Sequence, residues 1–233
     1  MTPGQIKLSP TRMLFTAIYI LIFPVLILLL AGNWLWIEGW IFNIWFIALC
    51  GTVIIHLYRH DPALLAERYK KPGSANQEGW DKYVVYGIVL GFILWIVIMP
   101  LDASRFGWSA GFPGWLKIFG GIGLLNSAFL FYRAFADNTF ASSLVRIQSE
   151  RKHQVVTSGV YGLVRHPMYL GGIMLFVGTP LLLGSFWGIL MAVAMAFILA
   201  ARITREERLL VKELEGYADY QKKVRYRLMP FIW

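Results

Sequence analysis

Six long apolar stretches, separated by charged segments, set the pattern of the chain. They cover residues 12–32, 36–58, 83–101, 113–135, 168–183 and 186–203. A hydrocarbon core takes about 20 helical residues to cross, and all but the fifth stretch reach or approach that length. Lipid offers no partner to a backbone N–H or C=O, so an open-ended span has to be a helix. Only Gly184-Ser185 separates the last two, which predicts a tight helical hairpin, with Pro180 kinking the fifth helix near its far end. The fifth is short for a full span and is expected to tilt or reach part way. The first run has no well-placed small-residue cleavage site and reads as a retained helix.

Composition agrees. Of 233 residues, 58% are hydrophobic and 15% charged, against about 25% charged in a soluble domain. The 10 Trp, 11 Tyr and 16 Phe suit membrane interfaces. A single cysteine, Cys50, excludes a disulfide framework or a thiolate metal site. The net charge of +9 would suggest nucleic acid in a soluble chain. Here the basic residues flank the apolar runs, so they read as topology signals and contacts to anionic headgroups. With the N-terminus placed in the cytoplasm, Lys7, Arg12 and 18 more of the 22 Lys and Arg fall on the cytoplasmic side, leaving only Arg105 and Lys117 outside. That asymmetry predicts six crossings with both termini cytoplasmic.

Two of the cytoplasmic segments are too long to be turns. In the first, 59–82, Asp61 is placed to cap a short helix beginning at Pro62. The second, 136–167, has a mixture of His, Tyr, Val and Gly that marks a functional loop. Pro167 suits the first turn of the fifth helix, which puts His166 at its N-cap. The free N–H groups there favour a carboxylate. Gly171 and Gly172 leave the next turn without bulk, open to a helix or to a ligand. The hairpin brings Arg165 and His166 near Arg202, Glu206 and Glu207 at the membrane rim. A plainer reading stands beside each motif: Arg165-His166 as topological charge with a cap, Glu206-Glu207 as a solvated ion-pair face, the glycines as helix packing. No metal site is expected, and no phosphate loop or nucleophile elbow is present.

Taken in order, His153–Val156, Gly159-Val160-Tyr161, Arg165-His166-Pro167-x-Tyr169-x-Gly171, a hairpin-sized spacer, Glu206-Glu207, Tyr217, Tyr220 and Pro230-Phe231 resemble the isoprenylcysteine carboxyl methyltransferase family and its phospholipid methyltransferase relatives. The segment from Asp61 to Arg68 looks like the same group. The resemblance implies an all-α integral membrane protein, with four N-terminal helices in residues 1–135 and a catalytic region in 136–233. A cytoplasmic pocket at the C-terminal hairpin would hold S-adenosyl-L-methionine and release S-adenosyl-L-homocysteine. Carried over by motif, Gln148, His153, Gln154, Val155, Val156, Tyr161, His166, Pro167, Met168, Tyr169 and Glu206 would bind the cofactor. Arg165, His166, Glu206 and Glu207 would serve catalysis, and Arg202 would engage the substrate. The acceptor would be lipidic or lipidated: a prenylated cysteine carboxylate, a phospholipid amine or a small thiol. The expected setting is a multi-pass protein of a bacterial inner membrane, its site facing the cytoplasm, with neither metal nor nucleic acid. A non-catalytic scaffold or a transporter is the competing class, and a transporter would place charges in mid-span.

Overall fold

The computed structural model describes residues 10–233, with side chains from Thr16 onward except Tyr19. Lys7 and the side chain of Arg12, both used in the charge asymmetry, lie outside the described residues. Every regular element among the described residues is helical: α1 (Pro10–Ala31), α2 (Ile37–His60), the short α3 (Pro62–Arg68), α4 (Gly79–Pro100), α5 (Gly114–Asp137), α6 (Pro167–Leu183), α7 (Phe186–Glu213) and α8 (Tyr217–Lys223). Four are long and apolar enough to cross a membrane: α2, α5, α7, and α4 with the π-helical turn Leu101–Arg105 that continues it. The α6 helix, 17 residues long, is shorter. Leu29, Ile44, Leu90, Leu125 and Phe197 remain exposed on the outer faces, the surface an integral membrane protein presents to lipid.

Two helices outrun their apolar stretches. α4 begins at Gly79 and α7 continues to Glu213. Beyond Ile203 the α7 sequence turns amphipathic, burying Glu207 and exposing Arg205, Arg208 and Lys212. Asp61 caps α3 as expected, accepting from Leu64 N–H at 2.8 Å with Pro62 in the first turn.

The helix α6 lies at the centre, and its main neighbour is α5. The two backbones come close at Gly120, where a Cβ would sit 2.3 Å from Leu182 N and 2.7 Å from the Gly178 carbonyl. Gly171 turns toward Leu130 of α5, and its carbonyl accepts from Ser127 Oγ at 2.8 Å. Gly172 faces Leu199 of α7. The bare turn of α6 therefore serves helix packing. The other side of α6 packs with α1, α4 and α7 around Trp95, Phe176, Met195 and Ile203.

The hairpin turn is clamped from outside. Gly184, at φ +82°, ends α6, and Ser185 caps α7 by accepting from Gly188 N–H at 2.9 Å. The buried Asp102 of the π turn accepts from Ser185 Oγ at 2.6 Å and from Ser109 Oγ at 2.7 Å. This end of the bundle also holds Lys117, paired with Glu38 at 2.6 Å, and Arg105, which donates to the Leu29 and Leu30 carbonyls. The long loops gather at the opposite end.

Candidate active site at the mouth of the hairpin

Buried ion pairs give the long connection between α5 and α6 its shape. Glu67 of α3 accepts from Arg146 Nε at 2.9 Å and Nη2 at 3.0 Å, from Ser142 Oγ at 3.1 Å, and pairs with Lys70 at 2.6 Å. Burial alone would raise the Glu67 pKa, but Arg146 and Lys70 outweigh it and hold the carboxyl down to about 2. Asp81, in the first turn of α4, receives Arg202 Nε at 2.7 Å and Nη2 at 3.1 Å, and Val145 N–H at 2.9 Å. Arg202 also donates to the Ser143 carbonyl at 2.8 Å. At the start of the loop, Asp137 accepts from Val160 N–H at 2.9 Å. Three carboxylates on three helices thus pin a segment whose own regular structure is limited to two short 3-10 turns, Ser149–Arg151 and Gly159–Gly162. Buried pairs of this kind resist loss of one partner strongly, because the other is left uncompensated.

The pinned loop, the start of α6, the far part of α7 and α8 line a pocket open to solvent, with about 750 Å³ of empty space including its mouth. Part of the lining is aromatic and aliphatic: Phe140, His153, Val155 and Val156. The lining also carries Tyr169, Glu206, Tyr217 and Tyr220, and Val155 packs against the cluster of Tyr217 and Tyr220. The rings of Phe140 and His153 lie 4.6 Å apart, centroid to centroid. Burial lowers the His153 pKa to about 4, with Arg146 and Arg151 pushing the same way. The imidazole is therefore neutral at pH 7 and serves as a flat, weakly polar surface.

This shift has a consequence for stability. A His whose folded value lies below its ordinary 6.5 favours the fold fully above pH 6.5, and that contribution is lost as the pH falls toward 4. The Glu67 carboxylate loses its own contribution lower, between 4.5 and about 2. Thermal melts in detergent should therefore show a decline between pH 6.5 and 4 that His153→Phe flattens. An unchanged slope in the variant would contradict this reading of His153.

The two adjacent glutamates have separate fates. Glu206 faces the pocket and receives a short hydrogen bond from Tyr169 Oη. Glu207 points the other way and is 3% exposed. It accepts from Arg165 Nε at 2.7 Å and from Arg227 Nε at 2.7 Å, and lies 3.1 Å from His166 Nε2. Arg165 further donates through Nη1 to the carbonyls of Val224 and Arg225, both at 2.7 Å. The C-terminal segment closes the arrangement, with the Tyr226 and Arg227 carbonyls accepting from Arg165 N–H and His166 N–H, each at 2.9 Å. The positions of Arg165, His166 and Glu207 are thus fixed by one ion cluster behind the pocket.

Of the residues singled out from sequence, His153, Gln154, Val155, Val156, Tyr161, Arg165, His166, Met168, Tyr169 and Glu206 line the pocket. Four sit apart from its lining. Gln148 is buried under the loop, donating to the Phe140 carbonyl at 2.8 Å and accepting from Arg151 at 2.7 Å. Pro167 forms the first turn of α6. Glu207 belongs to the cluster just described, and Arg202 to Asp81. Arg202 does keep one link to the pocket, its guanidinium lying 5.7 Å from the Tyr169 ring centre. Sequence reasoning passed over Asn138, Phe140, Ser142, Leu210 and Leu214 of the lining, as well as Asp81 and Glu67. An acidic residue at the start of an apolar span was the available signal for Asp81.

Comparison with known proteins places these features in context. A phospholipid methyltransferase family model matches residues 115–216. The chain is 38% identical over 85 residues to a protein-S-isoprenylcysteine O-methyltransferase of Schizosaccharomyces pombe, covering 36% of each chain. It is 32% identical over 139 residues to protein-S-isoprenylcysteine O-methyltransferase B of Arabidopsis thaliana, covering 58% of this chain and 66% of that one. The matched region spans between about a third and two thirds of these relatives. A solved structure of the eukaryotic intramembrane Ras methyltransferase ICMT superposes with a TM-score of 0.54 at 22% identity, over 93% of this chain and 75% of that one. The fold is shared.

Proposed function

We propose, for a chain whose residues 115–216 match a phospholipid methyltransferase family model, an integral-membrane methyltransferase that uses S-adenosyl-L-methionine to methylate the carboxylate of a prenylated cysteine or a related lipidic acceptor. The curated relatives are named protein-S-isoprenylcysteine O-methyltransferases. The observation that supports it most is the chemistry of the pocket lining. A neutral aromatic and aliphatic wall of Phe140, His153, Val155 and Val156 suits a flat adenine ring. The carboxylate of Glu206, with the faces of Tyr169 and Tyr217, suits an ammonium and a sulfonium. The residues present fit the cofactor.

The cofactor supplies an activated methyl group, so the protein needs to form no covalent intermediate. Glu206 would hold the cationic end, and the pinned loop would exclude water, which leaves positioning and desolvation as the chain's contribution. The bases at the pocket are already engaged: Glu206 by Tyr169, His166 by Glu207. His153, at about 4, is a weak proton acceptor. An acceptor that arrives as a carboxylate needs no base, whereas an amine or thiol has a proton to lose. This favours carboxyl O-methylation over methylation of a phospholipid amine or a small thiol. Transfer of labelled methyl to a small S-prenylcysteine is the expected outcome with purified enzyme. Label appearing only in phosphatidylethanolamine or in a thiol would overturn the acceptor assignment.

We place residues 136–233 as the catalytic region and 1–135 as its membrane scaffold. With α1 and α6 counted beside the four long helices, the bundle makes six crossings with both termini and the pocket in the cytoplasm. In a Cys50→Ser background, a cysteine at Ser74 should react with an impermeant maleimide on the cytoplasmic side, and one at Ala110 on the other. Labelling of both from one side would refute that topology.

A further inference from the structure

Four tyrosines stand in the pocket lining, and three of their hydroxyls are engaged. Tyr161 Oη donates to the Ala134 carbonyl at 3.4 Å, Tyr220 Oη to the Tyr161 carbonyl at 2.7 Å, and Tyr169 Oη to the Glu206 carboxylate. The fourth, Tyr217, is 5% exposed, and its Oη is buried with no hydrogen-bond partner among the described residues. The other buried side-chain atoms left in that position, Asn43 Oδ1, Trp95 Nε1 and Asp102 Oδ1, belong to the helical bundle and not to the pocket lining. A buried hydroxyl without a partner is costly, and folded proteins keep few of them.

Packing and charge locate this hydroxyl. Tyr217 opens α8 and shares a buried cluster with Leu214 and Tyr220, its ring centre 5.6 Å from that of Tyr220. Val155 packs against the same cluster. Burial raises the Tyr217 pKa above its ordinary value, and the carboxylates of Glu207 and Glu206 add to the rise against the opposing charge of Arg165. The phenol therefore stays protonated at neutral pH, able to donate one hydrogen bond and to accept others. Tyr217 thus adjoins Val155, in the part of the lining that suits adenine, and lies in the field of Glu206, the cation contact. In S-adenosyl-L-methionine the ribose joins those two parts, and it carries two adjacent hydroxyls, each both donor and acceptor.

We propose that Tyr217 Oη is the ribose contact of the pocket, exchanging hydrogen bonds with the 2′- and 3′-hydroxyls of the bound nucleoside. The inference rests on the functional reading above and deepens it. Ring and hydroxyl then have separate uses, the face toward the sulfonium and Oη toward the neighbouring sugar. Oη itself is sealed from solvent, so the sugar meets it through the side-chain rotamer changes that commonly accompany binding. The free protein carries an unpaired hydroxyl at this place, and ligand binding pairs it. Tyr217 Oη serves recognition of a ribonucleoside and contributes no hydrogen bond to the fold.

The test titrates the full-length wild type, Tyr217→Phe and Tyr220→Phe with three ligands: S-adenosylhomocysteine, 5′-methylthioadenosine, and the 2′,3′-dideoxy form of 5′-methylthioadenosine. Tyr217→Phe should weaken the first two roughly three- to tenfold, the worth of one neutral hydrogen bond. The dideoxy compound has no sugar hydroxyl to pair and should bind Tyr217→Phe as it binds wild type. Without ligand, Tyr217→Phe should melt no lower than wild type, because no hydrogen bond within the protein is lost. Tyr220→Phe is the control. It leaves the Tyr161 carbonyl without its donor, so it should lower the melting temperature and change the three affinities by one common factor. Unchanged binding of all three ligands by Tyr217→Phe overturns the ribose contact, as does equal weakening of all three. A loss confined to S-adenosylhomocysteine, which alone carries the amino acid, overturns it too by moving the contact to that end of the ligand. A wild type that binds neither S-adenosylhomocysteine nor 5′-methylthioadenosine instead overturns the functional reading, and the ribose contact with it.

Discussion

Glu207→Gln should destabilise the protein by about 3–5 kcal/mol, the range for breaking a buried ion pair on one side only. Three cationic or potentially cationic side chains converge on this carboxylate: Arg165, His166 and Arg227. Arg165 is 8% exposed and His166 is 5% exposed, so neither can turn to water when the charge is removed. The loss reaches the pocket indirectly, because Arg165 and His166 stand in its wall. Thermal unfolding in detergent would report it as a drop on the order of 10 °C. A Glu207→Gln variant that melts with the wild type would show that the cluster does not hold the site together.

The neighbouring residue should behave in the opposite way. Glu206→Ala removes the one carboxylate in the lining of the pocket and leaves the ion cluster untouched. A hydrogen bond to a charged group is worth about 1.5–3 kcal/mol, so binding of S-adenosylhomocysteine should weaken by roughly 10- to 100-fold. The melting temperature without ligand should stay close to that of wild type. The two adjacent glutamates then separate into a ligand contact and a structural anchor. One residue of helix rotation, about 100° at 3.6 residues per turn, is enough to turn one toward the pocket and the other away from it.

That separation shows where sequence reasoning ends. The apolar runs announced the helices because burying a backbone in lipid leaves little choice of structure. Gly184-Ser185 announced the hairpin, and Asp61-Pro62 announced α3. Adjacency across the hairpin placed Arg165 and His166 close to Glu207 before any coordinates. Facing was harder to read. Glu206 and Glu207 are chemically identical, and only the tilt of α7 against α6 decides which meets the pocket. Partners distant in sequence were invisible: Asp81 reaches Arg202 across 121 positions and Glu67 reaches Arg146 across 79. The pairing of Arg202 with Asp81 gives a structural use to a residue assigned to substrate from its motif. The Asp61–Arg68 segment supplies both Glu67, which shapes the loop, and Arg68, which donates to the Ala141 carbonyl of that loop.

The central claim is that the hairpin mouth is a cofactor pocket with Glu206 as its cation contact. Calorimetric titration of detergent-purified protein with S-adenosylhomocysteine tests it most directly. Saturable binding at one site per chain, weakened at least tenfold in Glu206→Ala at an unchanged melting temperature, is the result predicted. No binding by the wild type, or equal binding by the variant, would contradict it.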